Sequence, residues 1–132
     1  MRALIIQKNP DLGNIWRRHL ERLEIEVTVA QDGNAARDHI LKASFDVILL
    51  DLVLAEGSAF AITDLVRFRQ PNANIVVVTD TTFFSDGSIF QHAANARALV
   101  KTATPPEDLA AIVYHYGKAN LAHGGHQSPT LG

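Results

Sequence analysis

Three short stretches of the chain are apolar without interruption: Ala3-Leu-Ile-Ile6, Val47-Ile-Leu-Leu50 and Ile75-Val-Val-Val78. Runs of this length, rich in β-branched side chains, predict strands buried on both faces. Two further runs, Glu24-Ile-Glu-Val-Thr-Val29 and Arg97-Ala-Leu-Val100, alternate more and predict strands nearer a sheet edge. Between them the apolar positions change to helical spacing. Leu12, Ile15, Trp16, Leu20 and Leu23 form one stripe, preceded by Asn9 as an N-cap, Pro10 at the first helical position and Asp11 at the positive end of the dipole. A helix therefore begins directly after the first strand. Thr104-Pro-Pro-Glu107 matches a capping box and opens the last helix, whose buried stripe is Leu109, Ile112, Val113 and Tyr116. Helices are also predicted at about 34–41 and 58–68, while 81–94 is ambiguous because Gly87 interrupts it.

This order is β-α repeated five times. It predicts an α/β, doubly wound (βα)5 domain with a parallel sheet, both faces covered and right-handed crossovers. Residues 1–117 are expected to form that domain, and the stretch after Gly117, Gly- and His-containing with little periodicity, is expected to be a flexible C-terminal tail over 118–132.

Composition narrows the function. The chain has 132 residues, 47% of them apolar, and a formal net charge of −2. A chain of this size can support its own core. It has no cysteine, which excludes disulfides, Cys-ligated metal and thiol chemistry and is compatible with a reducing, cytoplasmic setting. Acids outnumber bases, so no general attraction for nucleic acid is expected. No apolar run approaches the roughly 20 residues of a membrane span, and the N-terminus lacks the features of a signal peptide.

In an open parallel sheet, ligands gather beyond the carboxyl ends of the strands. Those ends carry Gln7-Lys8-Asn9, Asp51, Thr79-Asp80 and Lys101. Asp51 ends a buried strand, where a carboxylate is costly unless a cation or donor meets it. Lys101 is the natural cation and Thr79 supplies a hydroxyl. The plainer reading of the same residues is an ion pair capping a strand end.

Arg2-Ala-Leu-Ile-Ile6, Asp46-Val-Ile-Leu-Leu-Asp51-Leu-Val-Leu54, Ile75-Val-Val-Val-Thr79 and Ala98-Leu-Val-Lys101 together resemble the receiver domains of two-component response regulators, over about residues 2–117. The resemblance implies the flavodoxin-like strand order 2-1-3-4-5. It also implies phosphoryl transfer from a histidine kinase or phosphotransfer protein to Asp51, with Thr79 and Lys101 contacting the phosphoryl oxygens. The carbonyl of Val53 is then a metal contact. The family's Mg²⁺ is held by an acidic pair after the first strand, and here those positions are Gln7 and Lys8. Magnesium asks for an octahedral shell of oxygens, whereas a lysine ammonium has no lone pair to offer, so metal binding is expected to be weak or lost, resting on Asp51 and the Val53 carbonyl at most. Three other positions depart from the pattern. Asp80 adds pocket charge, Ala98 replaces the aromatic switch residue, and Thr102 replaces a proline. Lys8 suggests that its ammonium takes the metal's place and pairs with Asp51 or Asp80; the alternative is a solvated loop lysine.

Two roles follow. One is a stand-alone receiver in a phosphorelay, acting on a separate output protein. The other is a phosphorylation-independent pseudo-receiver that binds partners through its surface. The resemblance also suggests homodimer or partner docking on the face built from the fourth helix, fifth strand and fifth helix, where Phe83, Phe84, Ile89 and Phe90 concentrate apolar groups; core packing is their plainer role. An enzyme on this architecture lacks support, because Gln7-Lys-Asn-Pro10 stands where a phosphate-cradling glycine loop would. Trp16 is expected in the core. The scattered histidines lack ligand spacing, and Arg17, Arg18 and Arg22 with Glu21 and Glu24 read as a solvated helix face.

Overall fold

The uninterrupted apolar runs become the central strands. In the computed structural model, which describes residues 1–52, 59–79 and 95–130 with side chains to residue 119, the strands are β1 (Arg2–Ile6), β2 (Glu26–Ala30), β3 (Val47–Asp51), β4 (Asn74–Thr79) and β5 (Ala96–Lys101). They form one parallel sheet in the order β2-β1-β3-β4-β5. The two alternating runs are the two edges, as their pattern predicts, and β3 is buried at every position. Val53, Asp80, Phe83, Phe84, Ile89 and Phe90, together with the ambiguous 81–94 segment, lie outside the described residues.

Four helices are described: α1 (Pro10–Glu21), α2 (Gly33–Lys42), α3 (Ala59–Arg69) and α4 (Pro106–Thr130), the last belonging to the fifth βα unit. Trp16, Leu20, Leu109 and Val113 of α1 and α4 pack with Ala3, Ile5, Val47, Leu49, Val76 and Val78 on one face. On the other face, Ile40, Ile62 and Val66 of α2 and α3 pack with Leu4, Ile6, Ile48, Leu50, Ile75 and Val77. Alternate residues of each strand thus feed opposite cores, which is why the strands read as continuous apolar runs.

Helix ends show where local pattern and structure part. Asn9 caps α1 as expected, its side chain accepting from the amides of Asp11 at 3.0 Å and Leu12 at 3.4 Å. The same helix closes in a Schellman motif: the amide of Ile25 donates to the Leu20 carbonyl at 3.3 Å and that of Glu24 to the Glu21 carbonyl at 2.9 Å. The left-handed position, usually glycine, is Glu24 with φ 62°. The turn carries Leu23 off the helical stripe, so it is 40% exposed rather than core. In α4 the helical backbone continues through Thr130. Gly117, the last residue of the expected domain, permits a close approach: a Cβ there would stand 2.5 Å from the Met1 sulfur and 3.1 Å from Val47 Cγ1.

Candidate functional site at the carboxyl edge of the sheet

Strand register assembles the residues singled out in the sequence. Ile5 pairs with Leu49 and Ile6 with Leu50, so one step further Gln7 stands beside Asp51. Ile5 and Leu49 both face α1 and α4, and alternation gives Gln7 and Asp51 that same face. On the other side of β3, Asp51 pairs with Val78, and the amide of Leu52 donates to the Val78 carbonyl at 2.9 Å. Thr79 therefore ends β4 one step beyond Asp51.

Lys101 reaches the level of Thr79 through a β-bulge. Ile75 pairs with Ala96 but Val76 pairs with Ala98, which leaves Arg97 as the extra residue, its guanidinium Nε donating to Asn74 Oδ1 at 3.1 Å. The shifted register pairs Thr79 with Lys101. Without it, Val100 would oppose Thr79 and the lysine would fall past the strand end. The amide of Thr102 donates to the Thr79 carbonyl at 3.0 Å and closes this corner.

Burial separates two kinds of group. Gln7, Asp51 and Thr79 are buried, at 1%, 7% and 3% exposure, whereas Lys8 and Lys101 are exposed. Among the described residues the ion pairs are Arg2 with Glu26 at 2.6 Å and Arg67 with Asp64 at 3.3 Å. Neither Lys8 nor Lys101 forms one with Asp51. Of the two pairings expected for Lys8, the one with Asp51 is not formed, and Asp80, the other partner, lies outside the described residues. Lys8 sits exposed in the bend before α1. Lys101 lies two strands from Asp51, about 10 Å across the sheet at the usual strand spacing.

Gln7 is more than a missing carboxylate, and sequence reasoning overlooked this. Its amide donates to the Ala30 carbonyl at 2.9 Å, and its side-chain Oε1 accepts from the Asn9 amide at 3.0 Å. Its Nε2, fully buried, has no hydrogen-bond partner. The available signal was that Gln7 is a polar residue continuing the apolar Ala3–Ile6 run in strand phase. Gly13 of α1 lies over it, with a Cβ at that position falling 3.7 Å from Gln7 Cβ.

A magnesium ion needs several oxygen ligands. Here Lys8 offers no lone pair, the single side-chain oxygen of Gln7 is already engaged by Asn9, and no group of three His, Asp or Glu side chains among the described residues could hold a metal. Among the described residues, this donor set does not supply the oxygen shell the ion needs. Ala98, in place of an aromatic side chain, is a half-buried residue of β5 packed against the α1/α4 core. No helix among the described residues is long and apolar enough to cross a membrane.

Comparison with known proteins agrees with this architecture. The family model of the response regulator receiver domain matches residues 3–113. The response regulator protein PilR of Pseudomonas aeruginosa is 26% identical over 78 residues, which is 59% of this chain and 18% of that protein. The chain thus spans less than a fifth of that relative. A CheY-like receiver domain protein from Methanospirillum hungatei superposes with a TM-score of 0.83 at 18% identity, covering 92% of this chain and 97% of that one. The Thermotoga maritima response regulator TrrA, solved in complex with Mg²⁺ and BeF, gives 0.76 at 17% identity over 87% and 97% of the two chains. With the family model spanning nearly the whole domain, and the strand order in keeping with it, this chain belongs to the response regulator receiver domains of two-component signalling.

Proposed function

We propose that the chain receives a phosphoryl group on Asp51 from a histidine kinase or phosphotransfer protein and passes the resulting change to an output partner. The observation that carries this reading is the buried carboxylate of Asp51 at the end of the central strand, with Thr79 and Lys101 ending the next two strands at one common level. In the transfer, an Asp51 carboxylate oxygen attacks phosphorus while the bond from phosphorus to the donor oxygen or nitrogen breaks, and the donor leaves with that electron pair. Charge spreads over the three equatorial oxygens, so the catalytic contribution is positioning and donors. The Thr79 hydroxyl and the Lys101 ammonium are the groups suited to that task, with the exposed lysine side chain swinging in from the edge strand.

Intact-protein mass spectrometry after incubation with acetyl phosphate, with and without Mg²⁺, tests the reading on wild type and Asp51→Asn. A single phosphoryl adduct is expected on wild type and none on Asp51→Asn. No adduct on folded wild type under either condition would overturn it.

One observation favours a second reading. The acidic-pair positions hold a buried amide and a solvated lysine in place of metal-binding carboxylates, which suits a pseudo-receiver recognised through its surface whatever the state of Asp51. That reading predicts partner binding unchanged by Asp51→Asn.

A further inference from the structure

We propose that Gln7 is an oxyanion-binding residue. Its buried carboxamide nitrogen donates to a tetrahedral oxyanion seated at the carboxyl edge between β1 and β3, so that the site works without a divalent cation. The anion is either a phosphoryl group on Asp51, in which case the inference rests on the acceptor role proposed above, or a free phosphate-class ion.

Four observations converge. First, register and alternation stand Gln7 and Asp51 side by side on one face of adjacent strands. Second, the amide cannot be flipped to remove its orphaned donor. Flipped, it would set its NH2 against the Asn9 N–H 3.0 Å away, donor facing donor, so the atom there is the oxygen and the unbonded atom is the nitrogen. Third, the Asn9 side chain already takes the Asp11 and Leu12 amides at the start of α1, which leaves the Gln7 nitrogen as the free buried donor of this loop. Fourth, the change of side chain changes the electrostatics. A carboxylate at position 7 beside Asp51 would repel a phosphoryl group unless a cation stood between them, whereas a neutral amide offers two N–H donors and no charge. Lys8 at the rim adds positive charge in solvent. The other orphaned amide among the described residues, Asn95, precedes β5 at the opposite end of the sheet and has neither its nitrogen nor its oxygen bonded, so nothing holds it in one orientation.

The test uses the full chain in EDTA. Acetyl phosphate labelling is followed by intact mass, and inorganic phosphate is titrated while the Gln7 side-chain amide signals are followed by NMR, assigned through their loss in Gln7→Met. Wild type is expected to be labelled in EDTA at a rate close to that with Mg²⁺. Gln7→Met should be labelled about tenfold to a hundredfold more slowly, the worth of one hydrogen bond to a charged group, with a melting temperature no lower than wild type. Gln7→Glu, with a like charge at the anion, should be slower still.

Labelling that requires Mg²⁺, or that proceeds equally in Gln7→Met, overturns the inference and leaves the acceptor role of Asp51 standing. If no adduct forms under any condition, yet phosphate shifts the Gln7 amide signals and binds Gln7→Met at least about tenfold more weakly, the acceptor role falls and the oxyanion assignment stands. Phosphate binding that Gln7→Met retains, or no response to either probe, overturns the assignment. Should Gln7→Met fail to fold, Gln7→Glu and the wild-type amide signals still decide the matter.

Discussion

Gln7 and Gln70 carry the same carboxamide to opposite ends of the sheet, and the fold uses them differently. At the amino end, Gln70 is fully engaged: its oxygen accepts from the Phe45 amide at 2.8 Å, and its nitrogen donates to the carbonyls of Ile40 at 2.8 Å and Ala43 at 2.6 Å. It ties the end of α2, the loop into β3 and the end of α3 into one joint. At the carboxyl end, Gln7 is more deeply buried and has its nitrogen unbonded. A buried donor without a partner costs about 1–3 kcal/mol. An amide that satisfies every neighbour is structural, and one kept at a cost beside a strand-end carboxylate is what a ligand site requires.

The contrast can be broken most sharply at Gln70. Gln70→Leu should lower unfolding free energy by about 2–3 kcal/mol, since three hydrogen bonds disappear together. Urea unfolding measures it, and a loss below about 0.5 kcal/mol would deny Gln70 its structural role. Next in size is Lys8→Asp, which supplies a carboxylate where the ammonium stands. At magnesium tenfold above its Kd the variant should gain about 1.4 kcal/mol over the metal-free protein. If titration calorimetry shows no magnesium binding, the lysine is not what excludes the ion. Gln7→Met should change stability by no more than about 1 kcal/mol, towards greater stability, because the orphaned donor goes and water replaces the bond to the exposed Asn9 amide. A marked destabilisation would make the two glutamines alike. The smallest effect belongs to the amino end, where Glu24→Gly should stabilise by about 0.5 kcal/mol, the relief of a left-handed conformation in a non-glycine residue less the extra entropy a glycine loses on folding. Thermal unfolding with no gain would show that the turn carries no such cost.

The strands, their burial and their rank as centre or edge were legible because a parallel sheet covered on both faces leaves a continuous apolar signal. The cap at Asn9 was legible for a similar reason, since it is a local bond between near neighbours. Asp51, Thr79 and Lys101 could be picked out as polar residues ending apolar runs. Leu23 could not be separated from the helical stripe, because the turn that exposes it depends on a left-handed Glu24 where glycine is the usual marker. Gly117 marks in sequence only the end of the expected domain, and its approach to Met1 and Val47 shows that the missing side chain serves packing.

What the sequence determined by itself is the local periodicity: which segments are strand or helix, which sides are apolar, and that one acid ends the central strand. Tertiary structure decided which residues meet. The bulge at Arg97 brings Lys101 level with Thr79, and the register of β1 on β3 stands Gln7 beside Asp51. These depend on hydrogen bonding between segments far apart in the chain, and a shift of one residue would turn each side chain to the opposite face.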